Sequence, residues 1–487
     1  MITTKKFNGF PFYRIWSEDQ IEQLHLASLA ILEQTGVLVQ EPQSLKLLKE
    51  AGAYVDGERV KIPPTLVESA IRSAPERISL YSKDGRTVLP LEKGTVAYGM
   101  GADLPYFIDP FSGEIRQTVL ADTERAARLA EKLTNIDWVS SLGLASDVTL
   151  ELYELYQFLA IRKYSNKPIL THAANPGTLK PMIDMAAALA GGHEQLRQKP
   201  TLVVYTEPVS PLVHGRESLE KLLLCAEYGI PVTYSTGSMC GGTAPATLAA
   251  GIAMANAECL TGLVIHQLKK PGAPFIHGMM VGVLDMRTGF SPYGGPEMTL
   301  AHTIGGQLGH FYRLPTFGTA GYTDALAVDA QAGLDAAYSI LLAALSDTNL
   351  VHDCGYMGNG FLGSLEQLIL ADELIGFVKR FMEGSKPDEE EFCIELIERI
   401  GPGGDYQSDQ LAKELERDHW CPRYLNRKNF HRWQRTGGST LVEILHEGVL
   451  DLLRKEAEII LSETEMEELE RIIAENEARI KKEKRGD

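Results

Sequence analysis

The 487-residue chain is short of several things. It has no Cys-x-x-Cys pair. Its six cysteines, Cys225, Cys240, Cys259, Cys354, Cys393 and Cys421, are scattered, which argues against a disulfide framework or a structural zinc site and predicts reduced thiols packed as small hydrophobes. It is also short of positive charge. With 47 Lys and Arg against 65 Asp and Glu, the net charge is -18, so phosphate backbones and anionic membrane surfaces are repelled. Neither a nucleic acid nor a membrane is an expected partner. The opening Met1-Ile-Thr-Thr-Lys-Lys-Phe lacks the apolar stretch of a signal peptide, and no run reads as the ~18 apolar residues of a membrane span. A cytoplasmic location is the expectation.

What is present is ordinary for a globular chain, with 44% hydrophobic and 23% charged residues, enough for a sizeable core. The spacing of Ile21, Leu24, Leu26, Ile31 and Leu32 predicts a helix from Ser17 to Gly36, with Ser17 as its N-cap. A short strand at Val60-Lys-Ile, a proline-started helix and a strand at Ile78-Ser-Leu-Tyr follow. Residues 1–93 thus read as an N-terminal helical and small-strand cap.

Beyond the cap the sequence falls into eight beats of a short apolar run followed by a helical stretch. The runs are 95–100, 138–143, 168–173, 202–207, 231–236, 274–279, 314–319 and 350–355. Helices are expected at 118–133, 218–228, 244–268, 297–312, 329–345 and 364–382. This is the alternation of an α/β protein with a (β/α)8 TIM barrel over 94–383, although an open doubly wound sheet shows a similar beat. Residues 384–487 read as a C-terminal extension. It comprises a charged linker (Gly384 to Glu391), an aromatic, basic stretch from Asp418, and one amphipathic helix from Ser439 to about Lys484 that packs on the barrel or a sister subunit. A homo-oligomer is expected, and residues 481–487 are expected to fray.

In a barrel, function sits on the loops after the strands. Asp103 and Glu207 close apolar runs, where an unpaired carboxylate is costly to bury. His172, His277 and His352 stand near strand ends, the last beside Asp353. A metal set drawn from His277, His352, Asp353 and Cys354 lacks a recognisable ligand spacing, so no metal is expected. Gly358-x-Gly-x-x-Gly363 matches a dinucleotide fingerprint, but the stretch after it reads as continuous helix without a second acidic-ended strand. Gly358, Gly360 and Gly363 either let a large ligand approach or turn the chain. The aromatics Tyr98, Tyr106, Phe107, Tyr234, Tyr322, Tyr356 and Phe361 lie near strand ends. If several face one cavity with Asp103, Glu207 or Asp353, that cavity suits a quaternary ammonium, which is held by π faces and charge.

Four blocks are distinctive together: Asn256-Ala-Glu-Cys through Lys270-Pro-Gly-Ala-Pro, Gly318-Thr-Ala-Gly-Tyr-Thr-Asp-Ala, Asp329-Ala-Gln-Ala-Gly, and Gly401-Pro-Gly-Gly-Asp. On these the chain resembles the trimethylamine methyltransferase family over nearly its whole length. The resemblance implies a (β/α)8 barrel and methyl transfer from an amine to the Co(I) corrinoid of a partner protein. Founding members carry pyrrolysine, whereas this chain has only the twenty common residues. It therefore resembles the branch that acts on glycine betaine and related betaines.

A quaternary ammonium already carries the charge that departs as neutral amine, so alignment and electrostatics suffice for its demethylation. No Asp-x-His-x-x-Gly corrinoid motif occurs, so the corrinoid is expected on the partner, with none bound tightly here.

The leading expectation is a glycine betaine:corrinoid protein methyltransferase, with proline betaine, carnitine and γ-butyrobetaine open. His352, Asp353 and His277 are the expected catalytic or positioning residues. Tyr322, Asp103, Glu207, Tyr98, Tyr356, Phe361 and His172 are expected to bind substrate. The alternatives are a metal-dependent barrel lyase or hydrolase using His277, His352 and Glu207, and a non-catalytic betaine-binding protein.

Overall fold

The computed structural model describes residues 12–384, 392–406 and 419–485. Its centre is a ring of parallel strands, β1 (Ala97–Met100), β2 (Ile169–Thr171), β3 (Leu202–Thr206), β4 (Val232–Cys240), β5 (Phe275–Val283), β6 (Thr316–Thr319) and β7 (Leu350–Cys354). Their lateral order is β1-β7-β6-β5-β4-β3-β2, every pair parallel. The gap between β2 and β1 is closed by the expected second run. Trp138 bridges Gly99, and Val139 bridges Ile169, both in parallel. The fold is therefore a closed TIM barrel of eight staves, not an open sheet. The second stave is shorter than the 138–143 expected, because the chain turns through a left-handed position at Leu142, φ 64°.

Two hydrophobic cores follow from the strand pleat, which sends alternate side chains to opposite faces. One fills the barrel with Ala97, Trp138, Leu170, Val203, Tyr205, Ile276, Phe317 and Leu350. The hairpin Ile78–Tyr81 and Val88–Leu91 adds Ile78, Leu80, Leu89 and Leu91 to it. That hairpin plugs the N-terminal end of the barrel, where Tyr81 N–H bonds the Pro200 carbonyl and Lys83 N–H the Asn166 carbonyl. The other core lies between strands and helices and takes the opposite strand parity, including Tyr98, Tyr234, Phe275 and Met279.

The expected helices form, with ends set by local chemistry. Ser17 and Gln20 make a capping box at the start of Glu18–Ala30. Asp329 and Ser364 cap Ala330–Leu345 and Leu365–Glu383. Helix Leu248–Lys269 corrects one expectation: it is long and apolar enough to cross a membrane, and the sequence reading had found no such segment. Here it is enclosed by β4, β5 and the cap helices Glu18–Ala30 and Pro64–Ser73. Burial on all sides is what an all-round apolar helix requires.

The tail is two helices, not one. Leu441–Arg454 stops where Lys455 turns extended, ψ 142°, and Glu463–Arg485 follows. The first buries Leu445, Val449 and Leu453 against helices Leu120–Lys132 and Leu365–Glu383. The charged linker beyond Gly384, Asp418, and the last two of the residues expected to fray lie outside the described residues.

Candidate active site

Strand β7 delivers the centre of the site. Leu350 points into the barrel, so His352, two residues on, points inward as well. The β7–β1 register then shifts between Val351 and Cys354, and Asp353 takes a left-handed backbone, φ 82°. Its carboxylate bonds Nδ1 of His352. Burial pushes the Asp353 carboxyl above its ordinary value, and His352 pulls it back. Nε2 of His352 is buried with no hydrogen-bond partner among the described residues. The ring stacks on Trp138 at 5.7 Å between centroids and touches Phe317 (5.6 Å), Tyr356 (5.9 Å) and His172 (6.0 Å). Gly99 makes room for Trp138, since a Cβ there would lie 2.1 Å from the indole.

Two further carboxylates are tied to rings of the same wall. Tyr356 donates its hydroxyl to Asp103 and accepts the N–H groups of Ala102 (2.8 Å) and Asp103 (3.1 Å). Tyr205 donates to Glu207 at 2.6 Å, and its ring lies 4.7 Å from His172. Glu207 is raised by burial first, with the negative charge of Asp103 adding to it. The Tyr293 phenol is raised by burial and then by Asp353, Asp103 and Glu207, so all three carboxylates act on one ring. His172 is lowered to about 4 by burial and is neutral at pH 7.

Neighbouring elements hold these loops in place. Glu258, on helix Leu248–Lys269, accepts Leu212 N–H (2.7 Å) and the Ser210 hydroxyl (2.8 Å), pinning the loop after Glu207. Asp324 accepts the N–H groups of Tyr293 and Gly294, both at 2.9 Å. A cavity of about 210 Å³ adjoins the wall, lined by Asp103, Ser140, Tyr153, Glu154 and His172 among others. Burial pushes Glu154 up to about 7. Lys221 donates to the Ala173 carbonyl at 2.7 Å and acts on Glu154 and Glu207.

Of the residues expected from sequence, His352, Asp353, Asp103, Glu207, Tyr356 and His172 converge here. Tyr322 stands behind them, edge-on to Tyr293 at 5.8 Å, with its hydroxyl 3.4 Å from Thr299. Phe361 is exposed on the loop after β7. Gly358 and Gly360 adopt left-handed backbones (φ 57° and 77°) in a hairpin turn that pairs Tyr356 with Gly363 and Met357 with Leu362. Turning the chain accounts for them. At Gly363 a Cβ would lie 2.9 Å from Phe107.

His277 and Tyr98 are elsewhere, which corrects two expectations. His277 shares the outward parity of Phe275 and Met279, and its Nε2 bonds Asn256 Oδ1 at 3.0 Å in a network that runs on through Tyr312 to His25. Tyr98 is likewise turned outward and donates to the Ile340 carbonyl at 3.0 Å. The metal set of His277, His352 and Glu207 therefore does not assemble, because one member lies behind the barrel wall.

Sequence reasoning missed Trp138, Tyr205, Phe317 and Tyr293. Tyr205 carried a signal, standing two residues before Glu207 on the same face of β3. Tyr293 lies on a loop and carried none.

Carboxylates bonded to aromatic rings near the C-terminal ends of barrel strands can hold and orient a small cation. The profile of the family described as trimethylamine methyltransferase matches residues 3–481. The glycine betaine methyltransferase of Desulfitobacterium hafniense is 30% identical over 426 residues, 87% of this chain and 89% of that protein. The trimethylamine methyltransferase of Methanosarcina thermophila is 28% identical over 458 residues, 90% and 92% of the two chains. The solved monomethylamine methyltransferase of Methanosarcina barkeri covers 92% of this chain and 89% of its own at 12% identity, with a TM-score of 0.49. The barrel assignment rests on the strand order and not on that match. With nearly its whole length matched, the chain belongs to the trimethylamine methyltransferase family and is a methyltransferase.

Proposed function

We propose that the protein removes a methyl group from a small quaternary amine and passes it to the Co(I) corrinoid of a separate protein. One observation carries the reading: three carboxylates, Asp103, Glu207 and Asp353, are each hydrogen-bonded to an aromatic ring of a single wall. A quaternary nitrogen has no proton to donate, and π faces with nearby negative charge are what hold it. The transfer balances without an acid or base. The electron pair of Co(I) forms the new bond to carbon, the C–N pair leaves on nitrogen, and a neutral tertiary amine departs. The protein's work is to desolvate the cation and align its methyl group.

Glycine betaine, the substrate named for the Desulfitobacterium relative, is the first candidate on sequence grounds, with proline betaine, carnitine and γ-butyrobetaine beside it. All share the head group that the chamber suits. Exposed apolar residues on the loops after the strands, Val209, Met286, Phe290, Leu326 and Phe361, support an acceptor protein reaching the mouth. Cytoplasmic location and homo-oligomerisation remain part of the proposal.

Incubation with reduced corrinoid proteins and a panel of quaternary amines, followed spectroscopically for methyl-Co(III), tests the reading. Absence of methylation with every acceptor and amine sinks it, and tight binding without transfer would favour a non-catalytic binder.

A further inference from the structure

We infer that the substrate is a small quaternary ammonium cation that lacks a carboxylate and carries a hydrogen-bond donor, such as a hydroxyl, opposite its methyl groups. The inference rests on the demethylation reading and, on structural grounds, replaces the carboxylated betaines that sequence likeness puts first.

Charge carries the first half. Asp103, Glu207 and Asp353 are bonded to Tyr356, Tyr205 and His352, and none of the three forms an ion pair with lysine or arginine among the described residues. Lys221 is the nearby cation, and it is engaged by the Ala173 carbonyl while facing both Glu154 and Glu207. One positive head group therefore relieves repulsion that the chain leaves in place. The carboxylate of a betaine would join Asp103, Glu154, Glu207 and Asp353, against which Lys221 is the lysine that faces Glu154 and Glu207, so desolvation and like charge both oppose it.

Hydrogen bonding carries the second half. With Asp353 ionised and the His352 ring in its neutral form, Nδ1–H donates to Asp353 and Nε2 carries the lone pair. Nε2 is buried and has no partner among the described residues. A substrate hydroxyl can donate to Nε2, whereas an ionised carboxylate meets lone pair with lone pair. The product of such a transfer is a neutral tertiary amino alcohol.

Calorimetric titration of the full chain with choline, tetramethylammonium, glycine betaine and γ-butyrobetaine tests this. Choline is expected to bind at least about tenfold tighter than either betaine, with tetramethylammonium between them. Methyl transfer to reduced cobalamin is expected to follow the same order. Asp103→Asn is expected to narrow the choline-to-betaine ratio about threefold, and His352→Leu to remove the advantage of choline over tetramethylammonium. A betaine that binds as tightly as choline, or ratios unmoved in both variants, overturns the inference and leaves demethylation standing. Failure of all four cations to bind overturns both.

Discussion

Asp353 follows His352 at a left-handed backbone position, and the turn it makes there aims its carboxylate back at Nδ1 of the His352 ring. A non-glycine residue held at such a position costs about 1–3 kcal/mol and persists where the surroundings impose it. Here what it secures is the orientation of the one imidazole that touches Trp138, His172, Phe317 and Tyr356 together.

Asp353→Gly should separate that task from folding. Glycine accepts the left-handed backbone without strain and removes a buried carboxylate. Relief of backbone strain and loss of the bond to His352 Nδ1 oppose each other, so the thermal midpoint is expected to stay close to the parent's, while methyl transfer falls at least about tenfold as the His352 ring loses its anchor. A folded variant with full turnover would take Asp353 out of the site.

Glu207→Gln and Tyr205→Phe address the cation itself. Each should raise KM for a quaternary amine about tenfold, equivalent to about 1.4 kcal/mol, with a smaller change in kcat. Steady-state kinetics read the split. An unchanged KM with a lowered kcat would assign Glu207 to something other than holding the head group.

Glu154 gives a pH-dependent prediction. Its carboxyl titrates near 7 in the fold against an ordinary 4.5, so the folded state keeps a proton that the unfolded chain has released. The stability this contributes is complete below 4.5 and is lost as pH rises through 7. Glu154→Gln should therefore stabilise the protein relative to its parent at about pH 8, by an amount of order 3 kcal/mol, and the gain should shrink on acidification. Calorimetric unfolding across that range checks the slope, and a gain independent of pH would refute the assignment.

His277 and His352 should behave oppositely. His277→Ala leaves the buried Asn256 carbonyl oxygen without its partner, at a cost of about 1–3 kcal/mol, and kinetic constants are expected to hold below the melting range. His352→Ala should lose turnover with a smaller loss of stability. Chemical denaturation and methyl-transfer rates on both variants decide it.

The sequence by itself determined the eight alternating runs, the capped helices between them and the family. These signals are local: apolar period, Ser, Asp or Asn before a helix, glycine after it, and contiguous blocks of residues. It also brought out five of the residues that meet at the mouth, Asp103, His172, Glu207, His352 and Asp353, because a carboxylate or histidine closing an apolar run stands out wherever the run lies, and Tyr356 as an aromatic near a strand end. It did not distinguish His352 from His277. Strands of a closed parallel barrel are buried on both faces, so hydrophobicity along them carries no contrast between inside and outside. Only the tertiary structure decided which parity faces the site, that Trp138 and Val139 complete the ring, and that the loop residue Tyr293 comes within electrostatic reach of three carboxylates. Those are relations between segments far apart in the chain, and they exist once closure has set the direction of every side chain.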